Sequence, residues 1–188
     1  MASTISAGTT SGTAIAISGD TTGNLAFQTQ AGANTITVPN ATGTVMVSGN
    51  MPAFIATNSG TQTYSASTFT KVLFQTENYD TNNNFASSTF TPTVAGYYQI
   101  TASINHDYAG SNGNINSACI YKNGSSYQIS SVRGSVTYGG QQATALIYCN
   151  GSTDYIEVYA YSNNGSPQIN VSGTGGSTLF SGVLVRTA

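Results

Sequence analysis

The chain has 188 residues, 39% hydrophobic and only 5% charged, with 21 glycines, 12 tyrosines and no tryptophan. That is enough apolar material for a core, but far fewer charges than the usual quarter of a soluble chain, so Ser, Thr, Asn, Gln and Gly must wet the surface. Its basic residues, Lys71, Lys122, Arg133 and Arg186, are scattered and the formal charge is -2, which argues against nucleic acid and anionic membranes as partners, and no apolar run reaches the roughly 18 residues that would span a bilayer.

From Met1 to about Asn50 the only charged residue is Asp20, and strand-length segments recur between Gly or Ser: Thr13 to Ser18, Asn24 to Thr29, Asn34 to Val38 and Gly43 to Val47. None can close a core alone. Such a segment winds with identical copies or lies on another protein, with a flexible polar leader as the plainer alternative. It lacks the basic region and continuous apolar region of a secretory signal, and reads as a mature start made in a cytoplasm. Cys119 and Cys149 are accordingly expected as buried free thiols, because cytosolic thiols stay reduced.

Residues 51–188 read as a second unit in which short strands follow one another with polar turns and no sustained 3.6-residue periodicity, the pattern of an all-β sandwich or jelly roll. Strands are expected over Pro52 to Thr57, Thr70 to Phe74, Tyr97 to Ile104, Ala118 to Lys122, Tyr127 to Ser130, Ala143 to Cys149, Tyr155 to Tyr161 and Leu179 to Val185. Asn82 to Asn84, Asp107 to Asn114, Ser162 to Pro167 and Ser172 to Ser177 read as loops. Asn123-Gly124 is a strong hairpin signal, since both residues tolerate positive φ. Side chains alternate along a strand, which puts Tyr98, Ile100, Ala102 and Ile104 on a core face and Tyr97, Gln99, Thr101 and Ser103 opposite. In Leu179 to Val185 both faces are apolar. A strand apolar on both faces needs cover on each side, and a second copy of the chain is the expected cover.

Four ordered stretches carry a resemblance: Phe90 to Tyr98 (FTPTVAGYY), Tyr121 to Gly124 (YKNG), Asp154 to Val158 (DYIEV) and Phe180 to Val185 (FSGVLV). Together they resemble successive landmarks of the complement component 1q-like head, a relative of the tumour necrosis factor jelly roll. The resemblance implies a two-sheet, ten-stranded jelly roll that assembles as a homotrimer, with the opening and closing strands near the threefold axis. Tyr97, Gln99, Phe180, Gly182 and Leu184 are expected at that interface. Residues 1–50, especially Thr21 to Val45, resemble N-terminal segments of phage fibre and virion-appendage proteins.

No catalytic constellation emerges. His106, the only histidine, reads as a solvated loop residue, and its neighbour Asp107 would point to the opposite face of a strand, which rules out a Ser-His-Asp geometry. Asp154 and Glu157, three apart on a strand, also point opposite ways, so paired-carboxylate glycoside chemistry has no geometry. No His/Cys cluster has zinc spacing, Asp80 and Asp107 would need loop carbonyls to hold calcium, and no cofactor is expected. The sequons at Asn40, Asn123, Asn150, Asn164 and Asn170 read as turns and polar surface.

The sharpest recognition signal is Tyr155, Glu157, Tyr159 and Tyr161, alternating with Ile156, Val158 and Ala160. Three tyrosines and a carboxylate then share one face, with Tyr121 and Cys119 extending it, suited to stacking on sugars or to a protein contact. The plainer alternative is cross-strand packing that stabilises an outer sheet. Loop residues Asp107, Asn112, Asn163 and Asn164 are added as binding candidates. The expectation is a virion structural protein of a phage, not an enzyme: a trimeric fibre or appendage at the virion surface that holds other virion proteins through residues 1–50 and displays its head to a host-surface glycan or protein. Capsid decoration or cementing, and a secreted trimeric signalling ligand, are the alternatives.

Overall fold

A computed structural model of the protein describes residues 25–28, 35–38, 51–107, 114–133, 138–170 and 178–188. The backbone divides into two units, Met1–Val45 and Met46–Ala188. In the first, β1 (Leu25–Gln28) and β2 (Thr35–Val38) pair antiparallel, with Leu25 opposite Val38 and Phe27 opposite Ile36. The expected segments Thr13 to Ser18 and Gly43 to Val47 lie outside the described residues, as do most of loop Asp107 to Asn114 and the turn Ser172 to Ser177.

The second unit contains, in chain order, β3 (Ala53–Thr57), β4 (Gln62–Thr63), β5 (Thr70–Lys71), β6 (Thr76–Asp80), β7 (Phe85–Ala86), β8 (Thr89–Phe90), β9 (Gly96–Asp107), β10 (Ile115–Lys122), β11 (Ser125–Arg133), β12 (Tyr138–Cys149), β13 (Ile156–Ser162), β14 (Gln168–Ile169) and β15 (Leu179–Thr187). They form two antiparallel sheets. A seven-stranded sheet runs β4-β14-β9-β15-β3-β6 with β12 also paired to β9, and a six-stranded sheet runs β11-β10-β13-β8-β7 with β5 also paired to β13. Successive long strands switch sheets: β9 to β10, β11 to β12, β12 to β13. That is the connectivity of a jelly roll. Between β3 and β9 every strand but β6 has only two residues, and Ser67, Asn83, Ser87 and Ser88 sit at positive φ, where a strand cannot continue. Of the strand expected over Thr70 to Phe74 only Thr70–Lys71 is regular, yet Val72 and Phe74 still reach the core.

The core follows the period-two rows. Tyr98, Ile100, Ala102 and Ile104 of β9 face Ala118 and Ile120 of β10 and Ile156, Val158 and Ala160 of β13 across the sandwich, all fully buried. Phe54 of β3 sits among three aromatic rings, stacked on Phe90 at 4.3 Å and Phe85 at 5.1 Å and edge-on to Phe180 at 4.9 Å. Gly182 makes room for it: a Cβ there would lie 2.6 Å from the Phe54 ring and 2.8 Å from Ile100. The Asn123-Gly124 turn joins β10 to β11 with φ of 52° and 76°. Its Asn123 side chain accepts from Tyr155 N and donates to Asp154 Oδ1, which ties the hairpin to the entry of β13.

Two expectations are corrected by this geometry. Phe180, Gly182 and Leu184 point into the core of their own chain, because β15 pairs with β9 in a register that sets them opposite Ala102, Ile100 and Tyr98, all core residues. The outward residues of β15 are Ser181, Val183 and Val185. His106 is fully buried, because β9 runs past Ile104 to Asp107 and the alternation that buries Ile104 buries His106 too. Cys119 and Cys149 are buried and unpaired.

Candidate functional site

The outward face of the six-stranded sheet is built from β13 outward. Ile156, Val158 and Ala160 are fully buried, so Glu157, Tyr159 and Tyr161 project from the other side. Register places Tyr121, Cys119 and Ser117 of β10 opposite Glu157, Tyr159 and Tyr161, and Lys71 of β5 and Thr89 of β8 opposite Tyr159 and Glu157. Four strands thus deliver one continuous surface.

Its centre is aromatic. Tyr121 stacks on Tyr159 with centroids 4.0 Å apart and planes at 25°. Phe69, which sequence reasoning missed, packs at 4.9 Å from Tyr161 and 6.2 Å from Tyr121 while remaining 40% exposed. Cys119 is fully buried on this face, and burial pushes its thiol up to about 12, so it presents no thiolate for chemistry. Beside the rings, Lys71 Nζ lies 2.7 Å from Glu157 Oε1 and donates to Thr89 Oγ1 at 2.7 Å. Tyr159 donates to Glu157 Oε2 at 3.4 Å. Burial first, and the Glu157 carboxylate second, raise the Tyr159 hydroxyl above its ordinary pKa. The surface is therefore apolar rings edged by a neutralised ion pair and hydroxyls, able to stack on a flat neutral partner and hydrogen-bond its rim.

The remaining binding candidates disperse. Tyr155 stands at the end of the row, beside the hairpin, with its hydroxyl against Gly124. Asn163 uses its side-chain oxygen to accept from Ile115 N at 2.7 Å, which ties the end of β13 to the start of β10, and Asn164 Oδ1 accepts from Gly165 N at 2.8 Å within its own turn, so both carbonyls are taken by the fold. Asp107 belongs to β9, in the other sheet, and Asn112 lies outside the described residues. Asp80 accepts backbone N–H from Phe85 and Asn82, a turn-closing role. Among the described residues no group of three His, Cys, Asp or Glu side chains is placed to hold a metal.

The seven-stranded sheet has a different outward face. Tyr97 of β9, Leu146 and Tyr148 of β12, and Val183 and Val185 of β15 stand 40–57% exposed, flanked by Gln99 and Thr101. Tyr97 and Tyr148 lie 5.5 Å apart, and Tyr97, Leu146, Val185, Arg186 and Ala188 line a cleft of about 430 Å³. Tyr97 and Gln99 are thus outward, and Val183, Val185 and Leu146 supply apolar surface on this sheet while Phe180 and Leu184 face the core.

No protein-family model and no curated protein matches the chain. Solved structures do. Murine APRIL aligns at a TM-score of 0.53 and 11% identity over 72% of this chain and 99% of that one. The Eiger TNF of S. frugiperda aligns at 0.52 and 10% over 73% and 93%, and the PRD1 vertex protein P5 at 0.51 and 14% over 73% and 98%. Two antiparallel sheets joined in this order, matched over nearly the full length of those chains, make residues of the second unit a tumour necrosis factor-like jelly roll.

Proposed function

We propose that the chain is a virion structural protein of a phage, a homotrimeric fibre or appendage whose head recognises a host-surface glycan or protein. One observation carries this reading: each sheet exposes an outward face with apolar surface, aliphatic-rich on one and aromatic with an ion pair on the other. The seven-stranded sheet shows the apolar Tyr97, Leu146, Val183 and Val185, a surface suited to contact with further copies, and tumour necrosis factor-like folds are typically homotrimeric. The six-stranded sheet shows Phe69, Tyr121, Tyr159 and Tyr161 beside the Lys71–Glu157 pair, a surface suited to a partner. The fold itself is shared by signalling ligands and a viral vertex protein, and is usually that of non-catalytic structural or ligand domains. The resemblance of residues 1–50 to segments of phage fibre proteins supports a place at the virion surface, with that segment as the attachment to other virion proteins. Three copies would bring three aromatic faces to one host surface, and avidity would compensate for weak single contacts.

The test is alanine at Tyr155, Tyr159 and Tyr161 together in the virion. With the head still folded, host adsorption should fall while particle yield is unchanged. Normal adsorption with fewer or fragile particles favours capsid decoration. Removing residues 1–50 should leave a folded head that no longer joins particles.

A further inference from the structure

At one end of the sandwich the inward rows change chemistry. In β9 the row Ile100, Ala102, Ile104 continues to His106, in β13 the row Val158, Ala160 continues to Ser162, and in β10 the row Ile120, Ala118 continues to Asn116. His106, Ser162 and Asn116 are all fully buried. Asn116 and Ser162 are directly opposed in register. The Ser162 hydroxyl is a hydrogen-bond partner of Tyr64, and the Tyr64 hydroxyl lies 2.9 Å from His106 Nδ1. The Ser117 backbone, next to Asn116, faces the imidazole. Ser162, Tyr64 and His106 thus link the two sheets, and with Asn116 beside Ser162 in register they make a polar ring of residues at this end of the core.

The ring is incompletely bonded from within. His106 Nε2 and both amide atoms of Asn116, Nδ2 and Oδ1, have no hydrogen-bond partner among the described residues. Buried polar groups in folded proteins are paired, by protein or by ordered water. An aliphatic side chain at position 116 would carry no such requirement, so the amide calls for a guest. The guest's chemistry follows from the ring. Among the side chains the structure describes, no Lys, Arg, Asp or Glu is buried at this end, and the imidazole is neutral at neutral pH because burial pushes it down to about 4, so none of them balances an ion. Asn116 offers one donor and one acceptor at its amide, and His106 Nε2 offers a third position. A small neutral molecule that both donates and accepts satisfies all three.

We propose that this ring is a binding site for internal water, one or a few molecules that accept from Asn116 Nδ2, donate to Asn116 Oδ1 and bond His106 Nε2, tying the two sheets together. A buried water makes about three such bonds, the number available here.

Two measurements on the full chain test it: a crystal structure at atomic resolution, and magnetic relaxation dispersion of water oxygen, which counts long-lived internal molecules. The expected map has ordered water within hydrogen-bond distance of the Asn116 amide and His106 Nε2, and the expected count falls by at least one in Asn116→Leu. An Asn116 amide turned to bond His106 directly with no water between them overturns the proposal. So does density for an ion or an organic molecule in the ring, or an unchanged count in folded Asn116→Leu. If that variant does not fold, the wild-type map decides alone.

Discussion

Phe180 meets Phe54 edge-on, with ring centroids 4.9 Å apart and planes at 88°, and both rings are fully buried. The closing strand is therefore fastened to the opening strand inside one chain, and Phe180 is a fold residue before it is anything else. Phe180→Ala should cost about 3–5 kcal/mol of head stability, read as a lower urea midpoint. Phe180→Asp, which buries an unpaired carboxylate, should leave the head unfolded in circular dichroism. An unchanged midpoint for either variant would contradict the inward placement.

Val183 and Leu146 should behave oppositely. Each is about half exposed in the single chain, so Val183→Asp with Leu146→Asp should change the stability of an isolated head by only about 0.5 kcal/mol per site. In the proposed homotrimer the same carboxylates would be buried between copies. Light scattering should return the trimer mass for the wild type and the monomer mass for the double variant, with circular dichroism unaltered. A monomeric wild type would remove the trimer.

The Tyr121–Tyr159 stack should be measurable in the head itself. A double-mutant cycle to Leu, by denaturant unfolding, should give a coupling of about 0.5–1.5 kcal/mol, the range for aromatic pairs beyond simple burial. A coupling near zero would mean that the rings are held by their strands rather than by each other, freeing both faces for a partner.

Acid should weaken the fold through His106. Its buried imidazole titrates at about 4 against an ordinary 6.5. Above pH 6.5 neither folded nor unfolded chain carries this proton. Between 6.5 and 4 the unfolded chain takes up a proton that the folded one refuses, so stability falls as pH drops and levels off below 4, for a total of roughly 3 kcal/mol. The group in contact with the ring, the Tyr64 hydroxyl, is held above its ordinary pKa by burial and stays protonated throughout. Asp154 is held below the ordinary carboxylate range by Asn123 and Lys122, so its contribution is lost only at lower pH, as it is protonated in the folded state. Unfolding midpoints from pH 7.5 to 4.5 should therefore slope downward in the wild type and flatten in His106→Asn.

Alternation made most of the core legible. The rows Tyr98 to Ile104 and Ile156 to Ala160 read inward from the sequence because their opposite faces are polar or aromatic. β15 defeats the same logic, since Phe180 and Leu184 on one face and Val183 and Val185 on the other are all apolar. Only pairing with Ala102 and Tyr98 across the strand boundary decides which set is inside. His106 was hidden by its neighbours: beside Asp107 and a Gly- and Asn-rich loop it has the look of a strand end. Phe69 sits in the Ser- and Thr-rich run SASTFT with no periodic partner, and it joins the tyrosine face through β5, paired to β13 from a distant part of the chain. The tyrosine row itself was visible, but the Tyr121 stack required the register of β10, and no single-strand pattern contains it.

The chain has only four Lys and Arg residues, and every one lies within a strand: Lys71 in β5, Lys122 in β10, Arg133 in β11 and Arg186 in β15. Two of them also hold ion pairs, Lys71 with Glu157 and Lys122 with Asp154. Trypsin-like proteases cut after these residues and need the surrounding backbone free of its ladder. Lys71, Lys122 and Arg133 end their strands, whereas the bond after Arg186 lies inside β15. Cleavage at Arg186 then proceeds at the rate at which β15 is released, and digestion in a trypsin-rich medium becomes a clock for that opening.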